Sequence, residues 1–208
     1  MSNPLRGISH DADYVASLPS QLPGPVLAVG HSYGGEVISN AAIRAGNVVG
    51  LVYMAALAPD EGERLQDIEA DSKDSVLSSA LTELKYPDGG GTAAEFTIDP
   101  EKFHAAFAAD LPADRARVMA LTQRPVAVLA FSEPSGPPAW RTLPSWAVVA
   151  TGDRAAGSGV VLSMAERAGA QITQVEGSHV IMVWQPHGVV EVIRAAHPQL
   201  ARGSPALG

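Results

Sequence analysis

A chain of 208 residues, with 46% hydrophobic and 17% charged residues, is long enough to bury a sizeable core in one domain, and its composition excludes an intrinsically disordered protein. The formal net charge of −8 and the lack of a basic run argue against binding to nucleic acid or to an anionic membrane. The absence of cysteine excludes disulfides, thiol nucleophiles and thiolate metal sites, and we expect neither a metal nor a cofactor.

Short apolar runs alternate with segments of helical composition along most of the chain. In chain order, the pattern predicts a helix at 11–18, a strand at 26–29, a helix at 36–45, a strand at 48–56, helices at 100–109 and 112–122, a strand at 146–151, a helix at 160–169, a strand at 171–175 and a helix at 187–196. This alternation predicts an α/β fold, in which a parallel sheet of about four strands carries helices on both faces. Functional residues are then expected at the carboxyl ends of the strands.

Residues 63–142 differ in character from the rest of the chain. They hold several helical stretches and a glycine-rich loop at 89–91, and a short stretch at 96–98 is the one candidate strand. We interpret this segment as a helical cap insertion within a single domain of residues 1–208. The tail, residues 202–208, is predicted to be disordered.

The sequence G-H-S-Y-G, centred on Ser32, follows a predicted strand and precedes a predicted helix, which is the context that a G-x-S-x-G nucleophile elbow requires. Glycines are expected at Gly30 and Gly34 because side chains there would collide with the strand and helix, and Gly35 allows close packing against the sheet. The turn would expose the Ser32 hydroxyl and direct the backbone N–H of Tyr33 at a developing oxyanion. The alternative is a glycine-rich turn with an incidental serine.

A serine nucleophile needs a base, and the base needs an acid that orients it. His179 comes just after the last predicted strand, where a loop could bring its imidazole to Ser32. Asp153 follows the strand at 146–151, at the same end of the sheet, and is the best candidate for the acid. Asp60 also follows a strand and is the alternative acid. The other histidines are less well placed: His10, His31, His104, His187 and His197.

Several segments together resemble an α/β-hydrolase, in particular the bacterial esterase-like relatives of plant methylesterases and hydroxynitrile lyases. They are GHSYGG at 30–35, YMAA at 53–56, PDEG at 59–62, TGDR at 151–154, SHVIM at 178–182 and QP at 185–186. The resemblance covers nearly all of the chain and implies that Ser32, Asp153 and His179 form a catalytic triad. It also implies that the insertion, including Arg124 and Pro125, is a cap over the active site.

The front of the chain departs from that family. The family begins with several more strands, and a His-Gly-type loop after its third strand supplies a second oxyanion donor; nothing here matches that loop. The strand at 26–29 would therefore become an apolar sheet edge, which favours self-association. The chain is expected to be a truncated hydrolase.

The leading hypothesis is a serine hydrolase that cleaves small-molecule carboxylic esters through an acyl-enzyme. One alternative is a lyase that uses the same triad as acid and base. The other is a truncated, weakly active or non-catalytic protein that binds a small ligand or a partner. The start of the chain lacks a signal-peptide pattern and no apolar run reaches the roughly 18 residues of a membrane span, so we expect a cytoplasmic protein.

Overall fold

The computed structural model of the chain describes residues 2–203, with side chains described as far as residue 196. The strands are β1 (Val26–Ser32), β2 (Val48–Ala56), β3 (Leu81–Asp88), β4 (Gly91–Ile98), β5 (Val126–Ala127), β6 (Ser145–Ala150) and β7 (Gln171–Val175). The α-helices are α1 (Ile8–Ser17), α2 (Gly34–Ala42), α3 (Leu65–Asp71), α4 (Leu77–Ala80), α5 (Pro100–Phe107), α6 (Ala113–Thr122), α7 (Leu129–Ser132), α8 (Ser158–Arg167), α9 (Ile181–Trp184) and α10 (Pro186–Gly203).

Four strands form one parallel sheet in the order β1-β2-β6-β7, which confirms the predicted α/β class and the strand number. The central strands β2 and β6 are covered on both faces, and every residue of β6 is buried. Strands buried on both faces carry continuous rather than alternating apolar residues, which is why both segments read as unbroken apolar runs.

Alternate residues of β2 face opposite layers of helices. Leu51 and Tyr53 pack in a core with α1, α2 and α8, whereas Val52 packs with α10 on the other face. Helix α10 continues to Gly203, beyond the predicted end at residue 196, so the first two residues of the tail predicted to be disordered are helical. Residues 204–208 of that tail lie outside the described residues. Within the described part of the chain, no helix combines the length and apolar character needed to cross a membrane.

Residues 63–142, between β2 and β6, were expected to form a helical insertion. The structure shows that this segment is not simply helical. It contains helices α3 to α7 and also a second, antiparallel sheet in the order β3-β4-β5. Strand β3 is largely exposed and includes charged residues and a proline, so it carries little of the apolar pattern that identifies a strand from sequence. Helices α5 and α6 share a separate small core that includes Phe103, Leu111 and Val180.

Strand β1 lies at one edge of the parallel sheet and pairs with β2 alone among the described strands. Its side chains include Val29, which is 36% exposed. Unpaired apolar edge strands offer backbone donors and acceptors to another chain. Strand β1 is thus an edge of the parallel sheet, as predicted. Self-association through this edge stays a prediction.

We predict that Val29→Lys weakens self-association, because a charge on an edge strand opposes pairing with a second strand. Val190→Lys on α10 is the matched control, since Val190 is 41% exposed and lies on a helix. Light scattering over a concentration series should show oligomers for the wild type and for Val190→Lys, and a smaller mass for Val29→Lys. A wild type that stays monomeric throughout would contradict the prediction.

Candidate active site

Ser32 ends β1 and adopts a φ of 55°, a conformation that costs a non-glycine residue on the order of 1–3 kcal/mol. A Cβ on Gly30 would overlap the backbone carbonyl of Gly34, and a Cβ on Gly35 would overlap the carbonyl of Leu57. Both glycines are therefore required by close backbone approach, as the motif predicts. The expectation for Gly34 is wrong, because a Cβ there would meet open space: the close approach involves its backbone.

Tyr33 lies at the junction between the strained serine and the first turn of α2. Its hydroxyl donates a hydrogen bond of 3.0 Å to Asp11, and both side chains are buried. The first backbone N–H groups of a helix have no partner within the helix, and they carry its positive dipole end. The N–H of Tyr33 thus belongs to the group of donors suited to an oxyanion.

The structure brings Asp153 and His179 together, as the sequence predicts for the acid and the base. Nδ1–H of His179 donates to Oδ2 of Asp153 at 2.7 Å, and each residue is only 1% exposed. Oδ1 of Asp153 accepts from the backbone N–H groups of Ala155 and Ala156, at 2.9 and 3.1 Å. With its Nδ1 proton held by Asp153, the neutral imidazole has an unprotonated Nε2.

Nε2 of His179 is buried and has no hydrogen-bond partner among the described residues. A Ser32–His179 hydrogen bond is therefore not formed in this structure. Catalytic hydrogen bonds in ligand-free sites often tighten only when substrate binds. The Nε2 lone pair is left available for a donor that enters the site.

His31 connects the elbow to the base, a contact that sequence reasoning did not find. Its Nε2–H donates to the carbonyl of His179 at 2.9 Å, and the two rings lie 4.6 Å apart. Phe107 contacts the His179 ring at the same centroid distance. Loss of hydration, followed by repulsion from a charge on His179, lowers the pKa of His31 to about 3, so His31 is neutral near pH 7.

The structure places the alternative acid, Asp60, in a different environment. Its carboxylate forms an ion pair with Arg141 at 2.5 Å and accepts from the N–H of Glu61. His104 donates to the carbonyl of Leu111, His10 is exposed beside Asp11, and His187 is exposed on α10. The side chain of His197 lies outside the described residues.

Ser32 and Tyr33 also line a cavity of about 640 Å³. Most of its wall is apolar, including Leu77, Phe96, Ile98, Phe103, Met119 and Phe131. Two polar side chains in the wall are hydrogen-bonded to the backbone: Gln123 pairs with Ile98, and Arg124 donates to the carbonyl of Asn3. Insertion residues supply most of this wall, so the insertion stands beside the elbow.

The sequence model of the alpha/beta hydrolase family matches residues 2–192. The chain belongs to the alpha/beta hydrolase family. No curated protein sequence matches it. Similar solved structures include polyneuridine aldehyde esterase (15% identity, TM-score 0.76, 93% of this chain and 81% of that one), a methylesterase from Arabidopsis (20%, 0.72, 94% and 80%) and a pyrethroid hydrolase from Sphingobium faniae JZ-2 (19%, 0.68, 91% and 77%).

At these identities the similar structures establish the fold. The assignment of the hydrolase core and of the elbow therefore depends on the shared fold and on the family match. The roles of Ser32, Asp153, His179 and Tyr33 remain predictions, which their geometry supports.

Glu36, in the first turn of α2, is a buried acid that the sequence did not single out. It is 0% exposed, and neither carboxyl oxygen has a hydrogen-bond partner among the described residues. Burial raises its pKa to about 8 against the opposing effect of the nearby Ser135 hydroxyl, and Glu133 adds a smaller contribution. The carboxyl group is therefore mostly protonated at neutral pH, behind the nucleophile elbow.

We predict that Glu36 makes the fold less stable as the pH rises. Its folded pKa of about 8 lies above the ordinary value of 4.5, so the folded state keeps a proton that the unfolded state releases. The free energy of unfolding then falls between those two values, by at most about 1.4 kcal/mol per pH unit. His31 has the opposite sign, because its pKa is lowered, but its effect ends near pH 6.5.

Denaturant unfolding at pH 6.5 and pH 8 should therefore show Glu36→Gln gaining about 1–2 kcal/mol relative to the wild type over this interval. Glu166→Gln is the matched control, because Glu166 is exposed on α8. A difference between Glu36→Gln and wild type that does not change with pH would show that Glu36 is already ionised in the folded protein.

Proposed function

We propose that this chain hydrolyses uncharged carboxylic esters through an acyl-enzyme on Ser32, with His179 as the base and Asp153 as the acid that orients it. The observation that carries the proposal is the 2.7 Å hydrogen bond between the buried His179 and Asp153, at the same end of the sheet as the strained elbow. An aspartate that holds Nδ1–H leaves Nε2 as a proton acceptor, which is what a serine nucleophile needs.

In the proposed reaction, Oγ of Ser32 attacks the ester carbonyl carbon while Nε2 of His179 takes its proton. The N–H of Tyr33 stabilises the oxyanion of the tetrahedral intermediate. The intermediate collapses, and His179 returns the proton to the departing alkoxide, which leaves as the alcohol. Water, activated by His179, then attacks the acyl-Ser32 ester and releases the acid.

Among the described residues, the elbow contributes one oxyanion donor, the backbone N–H of Tyr33. Loss of one such donor typically lowers turnover by roughly 10²–10³. We therefore expect slow turnover unless a second backbone amide completes the oxyanion hole when substrate binds.

The cavity favours a substrate with apolar groups on the ester. Its wall is mostly apolar, and the polar side chains of Gln123 and Arg124 are engaged with the backbone. A cationic substrate would lose its hydration there without gaining a partner, because no carboxylate is among the described residues that line the cavity. The names of the similar structures, an aldehyde esterase, a methylesterase and a pyrethroid hydrolase, agree with ester substrates.

A second candidate is a non-catalytic protein that binds a small apolar ligand in this cavity. It is favoured by the missing hydrogen bond between Ser32 and Nε2 of His179. A fluorophosphonate probe separates the two candidates, because it labels a serine only where a base activates the hydroxyl.

We predict that Ser32→Ala abolishes fluorophosphonate labelling and the hydrolysis of a short p-nitrophenyl ester, while the circular dichroism spectrum and the Tm stay unchanged. Alanine removes the nucleophile and little else. Ser17→Ala, at an exposed position on α1, is the control and should label as the wild type does. Wild-type turnover in Ser32→Ala would overturn the assignment of the nucleophile, and an unlabelled wild type would favour ligand binding.

We predict that Asp153→Asn costs far more activity than Asp60→Asn. Asparagine leaves the imidazole tautomer unset, an effect of about 10⁴ in kcat for the corresponding change in a serine protease. Asp60→Asn removes only its partly exposed ion pair with Arg141, which should matter little. Both kcat values are measured on protein whose fold is checked by circular dichroism. A larger loss at Asp60 would move the acid to that position.

A further inference from the structure

The base segment, residues 177–180, carries His179. It is held by one carboxylate of the insertion, that of Asp110. Asp110 lies in the loop between α5 and α6. Its Oδ2 accepts the backbone N–H of Ser178 at 2.5 Å, and its Oδ1 accepts the Ser178 hydroxyl at 2.6 Å. Ser178 precedes His179 and is buried, so both of its donors depend on this carboxylate.

We propose that Asp110 is a positioning residue for His179, and that through it the insertion sets where the imidazole of the base stands. The inference rests on the proposed function for its catalytic meaning. Asp110 acts through the backbone of Ser178 and takes no part in the transfer of protons.

The opposite side of the base segment is fixed by the segment that carries the acid. The carbonyl of Gly177 accepts the N–H of Gly152 at 2.9 Å, one residue before Asp153. A Cβ on Gly177 would meet the side chain of Ile181 and come within 3.0 Å of Oδ2 of Asp110. Residues 177–179 therefore lie between the segment that carries Asp153 and the carboxylate of Asp110.

The rest of the insertion loop adds contacts on both sides of this hydrogen bond. Phe107 packs against the ring of His179, and Leu111 shares the small core of α5 and α6 with Val180. Three successive residues, 178 to 180, are thus contacted by residues 107–111. Asp110 provides the polar and directional contact of this set, and His31 holds the carbonyl of His179 from the elbow. Asp110 is therefore the contact through which the insertion can orient the segment.

Removal of the carboxylate should leave the core of α5 and α6 in place and free the backbone beside His179. A displacement of about 1 Å at a reacting group can cost about 10²-fold in rate. The loss should therefore appear in kcat, with a small change in KM, because Asp110 is not among the residues that line the cavity.

The test compares Asp110→Ala, Asp110→Asn and the control Asp114→Ala, which removes a nearby exposed carboxylate on α6. Asn can keep both hydrogen bonds in neutral form, by accepting from the N–H and donating to the hydroxyl of Ser178. We expect kcat per fluorophosphonate-reactive site to fall by about 10- to 100-fold in Asp110→Ala, with KM within about three-fold. Asp110→Asn should recover most of the loss, and Asp114→Ala should match the wild type.

A second measurement does not depend on activity. The Nδ1 proton held between His179 and Asp153 should give a far-downfield NMR resonance, assigned by its loss in His179→Gln. It should persist in Asp110→Asn and Asp114→Ala and be shifted or broadened away in Asp110→Ala. If the wild type neither labels nor turns over, the proposed function fails, while this resonance still reports whether Asp110 positions the imidazole.

An unchanged resonance and an unchanged kcat in Asp110→Ala would overturn the proposal. A lower Tm with normal kcat per reactive site would also overturn it, because Asp110 would then only stabilise the fold. Should Asp110→Ala fail to fold, Ser178→Ala removes the hydroxyl donor and keeps the N–H bond. A smaller loss in kcat with a shifted resonance would support the proposal, and wild-type values for both would contradict it.

Discussion

Ser32 holds its strained backbone because the chain passes from β1 into α2 within two residues, between a carbonyl that leaves no space for a side chain at Gly30 and another that leaves none at Gly35. The neighbouring strand helps to fix this turn, since the N–H of Leu57 donates to the carbonyl of Ser32. The parallel sheet positions the other two residues of the candidate site. It places the carboxyl ends of β1, β6 and β7 at the same end of the sheet, so Ser32 at the end of β1 and the loops that carry Asp153 and His179 lie at that end.

The sequence predicted these features because each depends on neighbouring residues. Unbroken apolar runs marked β2 and β6, which are buried on both faces, and the motif around Ser32 marked the elbow. Both Asp153 and Asp60 follow a strand, so the choice between them depended on the order of the strands along the chain. Where the motif was applied too literally, at Gly34, it misassigned the steric reason: the close contact is made by the backbone of that residue, which any residue type has.

What the sequence could not show depends on contacts between distant positions or on exposed segments. Strand β3 has no buried face to give it a period of two, and the hairpin was missed for that reason. Asp110 and Ser178 are 68 positions apart, and nothing in the local pattern at either residue points to the other. The sequence would place Glu36 on an exposed helix face, because glutamate is rarely buried without a partner. Only the packing in the structure shows that Glu36 is buried.

The buried neighbours of the site leave His179 as the group that can carry a new positive charge. The ring of His31 lies 4.6 Å away, and its pKa is lowered to about 3 because it is desolvated and because a charge on His179 would repel it. A second cation at that distance would repel an imidazolium. In the proposed mechanism, a proton that leaves Ser32 would be stabilised on His179, because Asp153 accepts from Nδ1 and the neutral His31 adds no repulsion. In that mechanism, His31 would favour base chemistry at His179 by remaining uncharged, from the position next to Ser32.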